Sequence, residues 1–101
     1  MKRDVIWTTQ FKRDYKKAMK RHLDIDLLDS IIRVLSRGET LPEKHRDHEL
    51  TGNWTGYREC HIQPNWLLVY RIDDGVLVLT LARTGTHSDI FGKRAYTPPV
   101  K

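Results

Sequence analysis

Five histidines punctuate this chain, at His22, His45, His48, His61 and His87. Imidazole titrates near neutral pH, so two of them can take a proton at one atom and return it at another. His45 and His48 are three residues apart in a polar stretch, whereas His61 sits in an alternating run. There Tyr57, Glu59, His61 and Gln63 share one strand face, and Arg58, Cys60 and Ile62 share the other. The His61 face is polar and is expected to be open. Breaking an RNA phosphodiester by acid-base chemistry needs a base for the 2′-hydroxyl proton and an acid for the leaving 5′-oxygen. It also needs a cation for the crowded phosphorane. His48, His61 and His87 suit the first two roles, and Arg83 suits the third. Read alone, each is an ordinary hydrogen-bonded loop or strand residue; three near one open face favour the catalytic reading.

A metal site is the competing use, because His45, His48 and His61 would make a three-histidine set of the catalytic zinc kind. Their spacing falls on no predicted helix, and His48-Glu49-Leu50 does not begin an H-E-x-x-H motif, so neither a metal nor another cofactor is expected. There is no serine-triad signature and no glycine-rich phosphate loop. Phe91 lies one helical turn after His87, where an aromatic ring can stack on a base; packing beneath the sheet edge is the plainer reading. Trp54 reads as a loop anchor, and Trp66 and Tyr70 as core.

These residues must be carried by definable elements. Asp4 to Trp7 is short and β-prone, and Thr8 or Thr9 can cap the helix that follows. The apolar stripe of that helix runs through Phe11, Tyr15, Ala18, Met19 and His22, with Lys12, Arg13, Lys16, Lys17, Lys20 and Arg21 on the remaining surface. Asp24 or Asp26 starts a second helix with Leu28, Ile31, Ile32 and Leu35 inward, closed by Gly38. Residues 39 to 56 read as a long loop, and such loops are often functional. A meander follows: Tyr57 to Gln63, a turn at Pro64 and Asn65, Trp66 to Ile72, a turn at Asp73 to Gly75, and Val76 to Ala82. Thr86 to Asp89 has the form of a capping box, so a short helix starts at His87 and Gly92 ends it. Residues 93 to 101, with Pro98 and Pro99, have little to pack and read as a loose tail. The order β-α-α-β-β-β-α predicts an α+β domain, two helices packed on one face of an antiparallel sheet, with the other face partly open.

The 101 residues suit one domain. No run approaches a membrane span, and the start of the chain lacks the apolar stretch of a signal peptide. With Cys60 as the lone cysteine, a reducing cytoplasm is expected and a disulfide is not. The formal charge of +5 is unevenly placed: residues 1 to 22 carry eight basic and two acidic groups, and the remainder is nearly balanced. A basic end of this kind suits a polyanion such as nucleic acid, though it also suits simple solvation. A non-catalytic nucleic-acid-binding module is therefore the alternative to an enzyme. A purely structural protein partner would leave the polar histidine face unexplained.

Four blocks in order carry a resemblance: DHEL at 47 to 50, G-x-W-x-G-Y-R-E-C-H-I from Gly52 to Ile62, W-L-L-V-Y from Trp66 to Tyr70, and R-T-G-T-H-S-D-I-F from Arg83 to Phe91. In these blocks the chain resembles the YafQ-type toxins of the RelE superfamily, from about Arg3 to Gly92. The resemblance implies a RelE-like domain over residues 1 to 92, with 93 to 101 outside it. It further implies ribosome-dependent cleavage of messenger RNA in the A site, and neutralisation by a cognate antitoxin. Contacts to 16S ribosomal RNA would fall to the Lys12, Arg13, Lys16, Lys17, Lys20 and Arg21 face. By similarity the catalytic histidines are His48, His61 and His87, with His87 the general acid, Phe91 positioning substrate and Arg83 facing the scissile phosphate. One position departs: the family's namesake has aspartate in the turn P-D-W, where this chain has Asn65. An amide there keeps hydrogen bonding and loses any role that needs a carboxylate.

Overall fold

The computed structural model describes residues 2–92. Strand β1 (Asp4–Trp7) runs into helix α1 (Thr9–Lys20) through Thr8. The Thr8 hydroxyl accepts from the Phe11 amide at 3.0 Å, filling one of the bonds a helix start leaves open. The same hydroxyl lies 3.0 and 3.1 Å from the Leu81 and Ala82 carbonyls, so one side chain fixes both the helix start and its seat on the sheet. Asp24 caps helix α2 (Ile25–Ser36) by accepting from Leu27 N–H. The inward residues of α2 are the expected Leu28, Ile31, Ile32 and Leu35.

The inner stripe of α1 differs from expectation. Phe11, Asp14 and Ala18 are buried, Met19 is exposed, and His22 lies past the helix in a left-handed turn with φ +59°. The helix stops at Lys20, so the pattern that seemed to continue through His22 is a turn instead. Asp14 takes a buried place that apolar periodicity does not reveal.

Strands β3 (Arg58–Gln63), β4 (Trp66–Asp73) and β5 (Val78–Gly85) form the expected antiparallel meander. Two additions extend it on either side, in the order β1-β5-β4-β3-β2. The two-residue strand β2 (His48–Glu49) pairs antiparallel with β3, within the stretch expected to be loop. Short 3₁₀ turns at Glu43–His45 and Gly52–Trp54 organise the rest of that stretch. At the other edge β1 pairs parallel with β5, Asp4 beside Val78 through Trp7 beside Leu81. The sheet is therefore mixed, and the expectation of a wholly antiparallel sheet is corrected there: two helices and strands β2 to β4 separate β1 from β5, so no hairpin turn forces the two to run in opposite directions. The α+β class and the two helices on one face stand.

Alternation sends Cys60, Ile62, Leu68, Tyr70, Leu79 and Leu81 toward the helices, where they meet Phe11, Leu28, Ile31 and Leu35. Leu67, Val69 and Ala82 face the other way and join Leu50 and Ile90, with Trp54, Tyr57 and Phe91 packed around them. Helix α3 (His87–Phe91) thus closes part of the second face. Among the described residues no helix is long and apolar enough to cross a membrane. The expected tail at 93 to 101 lies outside the described residues.

Candidate active site

Glu59 occupies the middle of the second face. Its neighbour across the sheet is His48, placed by the β2–β3 register, and His61 is two residues on along the same strand. His87 reaches it from the first position of α3, whose start is fixed by both hydrogen bonds of the Thr86–Asp89 capping box. The Nε2 atoms of His48, His61 and His87 stand 3.7, 3.8 and 3.8 Å from Glu59 Oε2. These separations exceed a direct hydrogen bond and are charge contacts for any imidazolium formed there. The His61 and His87 rings are 6.1 Å apart.

The polar face was expected to be open, and at its centre it is not: Glu59 keeps 2 % of its exposure. The three histidines, β2 and α3 roof it over. Glu59 Oε1 is fully buried and has no hydrogen-bond partner among the described residues. Burying a carboxylate without a partner for each oxygen is costly.

The loop before β2 is fixed by three anchors. The Asp47 carboxylate accepts from the Tyr70 hydroxyl at 2.5 Å and from Arg58 at 3.2 Å. Burial, then the Asp47 bond, pushes the Tyr70 phenol far above its ordinary range. The His48 Nδ1–H donates to the Arg46 carbonyl at 2.7 Å. A carbonyl only accepts, so Nδ1 carries a proton, and Nε2 is the nitrogen turned toward Glu59. Arg46 sits at φ +47°, a conformation unfavourable for a side chain, and its carbonyl is what orients His48. The buried His45 donates from Nδ1 to the His61 carbonyl at 2.7 Å. Those two bonds commit the Nδ1 atoms of His45 and His48 to different carbonyls. Among the described residues no group of three or more His, Cys, Asp or Glu has metal-holding geometry.

Other expected site residues lie around this cluster. Phe91 stacks edge-on to Trp54 at 5.7 Å and lies 6.1 Å from the His87 ring, tilted by 33°. Those contacts are the packing expected of it beside the sheet. Arg83 is not among the groups on Glu59: its Nε donates to Asp14 at 2.7 Å and its Nη2 to Asp14 and the Asp89 carbonyl at 3.4 and 3.3 Å. Asn65 is exposed at the β3–β4 turn, its side chain making no hydrogen bond among the described residues, beside a cleft shared with Arg21, Gly85 and Thr86. The basic face of α1 is exposed as expected at Lys12, Arg13, Lys16, Lys17, Lys20 and Arg21.

Two of those cations have a second duty. Arg21 bonds Asp89 at 2.8 Å and Lys17 approaches it at 3.7 Å, tying α1 to α3. The Arg21 bond, with help from Thr86, holds the Asp89 carboxyl well below the usual carboxylate range. Gly85 makes this approach possible, since its φ is +153° and a Cβ there would meet Asp89 at 3.0 Å. Glu59, Asp14 and His45 were missed as site-shaping residues. Strand parity placed Glu59 beside His61, and a lone acidic residue within the α1 stripe was the signal for Asp14.

Residues 3–92 match the family described as the bacterial toxin of type II toxin-antitoxin systems, YafQ. The chain is 39% identical over 93 residues to the mRNA interferase toxin YafQ of Escherichia coli strain K12, covering 91% of this chain and 99% of that one. The toxin in the E. coli DinJ-YafQ toxin-antitoxin complex shares the fold with a TM-score of 0.83 at 39% identity, over 91% of this chain and 100% of that one. A metal-bound toxin from Helicobacter pylori gives 0.83 at 35% identity, over 90% and 100%. With nearly every described residue inside the match, and with the histidines of its ordered blocks gathered on one carboxylate, the chain belongs to the YafQ family of toxins from type II toxin-antitoxin systems.

Proposed function

We propose that this toxin is an endoribonuclease that cuts messenger RNA on the ribosome and so stops translation in the cytoplasm. The observation that carries the reading is the convergence of three Nε2 atoms on the buried Glu59 carboxylate. His48 is the base, because its Nδ1–H is already spent on the Arg46 carbonyl and Nε2 is free to take the 2′-hydroxyl proton. The 2′-oxygen then attacks phosphorus, and the 5′-oxygen leaves with a proton from His87 Nε2. The products are a 2′,3′-cyclic phosphate and a 5′-hydroxyl end, with one proton taken up and one given. Glu59 and His61 steady the positive charge between the two steps. Both proton transfers are met by imidazoles, so the reaction is assigned without a metal.

Arg83, its plane set by Asp14, is assigned the charge on the phosphate through Nη1, the nitrogen without a hydrogen bond. Phe91 positions the substrate beside His87, and Asn65 supplies hydrogen bonds at the turn. The α1 cations bind ribosomal RNA. The E. coli relative forms a complex with DinJ; for this chain an acidic antitoxin segment lying along α1, blocking ribosome entry, fits the charge distribution. Residues 1 to 92 are the toxin domain.

The test is to incubate purified protein with ribosomes and a defined message, then map 5′ ends. The native chain yields new ends at A-site codons, unchanged when trace metal is chelated under controlled magnesium. His87→Ala is expected to lose about 10² to 10⁴ in rate while keeping its melting temperature. Equal cutting by both proteins removes the reading.

A further inference from the structure

A second cleft, of about 510 Å³, opens on the other side of His61 from the Glu59 cluster's roof, between α2, β3 and the 3₁₀ turn before β2. It exists because β2 covers only Arg58 and Glu59, so beyond them the outer edge of β3 has no strand beside it. The β-bulge between His61 and Gln63 lies along its wall. Leu27, Ile62 and Pro64 give it an apolar lining, and His45, Gln63 and Lys44 supply polar groups. That mixture of flat apolar surface and a few convergent polar atoms, at this volume, is what a small-molecule site has.

His45 gives the cleft its chemistry. The ring is buried to 7 % exposure, and its Nδ1–H is held by the His61 carbonyl, so in the uncharged ring Nε2 is an acceptor. Nε2 makes no hydrogen bond within the described residues, and it is absent from the fully enclosed polar atoms, so it opens on the cleft that the ring lines. An acceptor of that kind wants an N–H donor on a flat, otherwise apolar partner. Gln63 adds one donor and one acceptor next to it, and the exposed Lys44 and Arg46 offer cations at the mouth. His61 stands in both the cleft and the catalytic cluster, so whatever fills the cleft is one residue's width from the reacting phosphate.

We infer that this cleft is a nucleotide subsite: it takes the unstacked base of a residue flanking the scissile bond, with an N–H edge on His45 Nε2 and Gln63 and the phosphate at Lys44 and Arg46. Single-stranded RNA is read in this way, by splayed bases in pockets that meet their Watson–Crick edge. The inference rests on the RNA-cleaving reading and adds to it a source of sequence preference apart from codon placement by the ribosome.

The experiment has a binding arm and a cutting arm. In the first, the full chain carrying His87→Ala is titrated with the four nucleoside 5′-monophosphates and followed by NMR. Saturable shifts are expected at Lys44, Ile62, Gln63 and the His45 ring nitrogens, weakened about threefold to tenfold by Gln63→Ala. In the second, 5′-end maps of the native chain and of Gln63→Ala are compared, with a similar factor of preference lost at one nucleotide position beside the cut. Nucleotide shifts confined to the His48 and His87 surroundings, together with identical maps, overturn the subsite. Cleft binding by a native chain that cuts no RNA overturns the nuclease reading, and with it the placing of the base beside a scissile bond, and leaves only a nucleotide-binding cleft. His45→Gln offers an amide N–H for the His61 carbonyl and an oxygen for the cleft, so it is expected to keep more nucleotide affinity than His45→Ala; equal affinity of the two folded variants also overturns the role given to His45.

Discussion

Asp14 and Glu59 are both carboxylates withdrawn from water, at 7 % and 2 % residual exposure, and their surroundings differ in every other respect. Asp14 accepts from Arg83, from the Thr84 amide at 3.1 Å and from Gln10 at 3.1 Å, so its charge is matched and its lone pairs are used. Glu59 has three imidazoles at 3.7 to 3.8 Å and one oxygen with no partner among the described residues. The first arrangement pins α1 to β5. The second is poorly satisfied as structure and apt for moving protons, because an imidazole can take up and release a proton and an arginine does not.

Replacing each acid separately sharpens that contrast. Glu59→Gln keeps shape and removes charge; cleavage is expected to fall by about 10², within the roughly 4 kcal/mol that two unit charges share at such distances in protein. Its melting temperature should hold or rise, since a buried unsatisfied charge has gone. A changed pH profile for kcat/KM distinguishes lost charge from lost shape. Asp14→Asn should do the reverse, destabilising by about 3 kcal/mol in urea melts because Arg83 is left without its partner. If Asn at 14 proves harmless and Gln at 59 unfolds the chain, the comparison fails.

Asp89 supplies a milder test. Its folded-state pKa lies below the unfolded value, so its contribution is complete above about pH 4 and is lost as pH falls toward the folded value. Asp89→Asn should therefore cost stability at pH 7, about 1 kcal/mol given the exposure of Arg21, and little at the acid end. Urea melts across pH 2 to 7 check the sign. Smallest is the effect of a single α1 cation: each lost phosphate contact should flatten the log-log salt dependence of ribosome binding by roughly 0.7 to 0.9. Charge reversal at Lys16 and Lys20 with unchanged affinity would show a solvated face.

Much of this was legible along the chain, for local reasons. The capping box at Thr86 and Asp89, the Asp24 cap and the parity of β3 depend on residues a few positions apart, and each formed as expected. The start of β5 did not. Val76 and Leu77 look like strand, yet both are exposed in a hairpin where Leu77 takes φ +53°, and pairing begins at Val78 and runs on to Gly85. The site was legible as three histidines but not as a carboxylate beneath them, because burial of Glu59 requires β2 and α3 to arrive from 11 and 28 residues away. The Arg83–Asp14 pair spans 69 residues, and no periodicity announces such a partner.

The parallel pairing of β1 with β5 has a consequence for the order in which the molecule is completed. Asp4 is made 74 residues before its partner Val78. Until then β1 has no strand to join, Thr8 has no Leu81 carbonyl to seat α1, and His87 has not been synthesised. Contacts of such long sequence separation close slowly, since the loop entropy is lost before the contact forms. A growing chain can hold two helices and the first hairpin and still lack both the sheet edge and the third imidazole. Chain topology thus holds back the gathering of the three imidazoles on Glu59 until synthesis has passed the last strand.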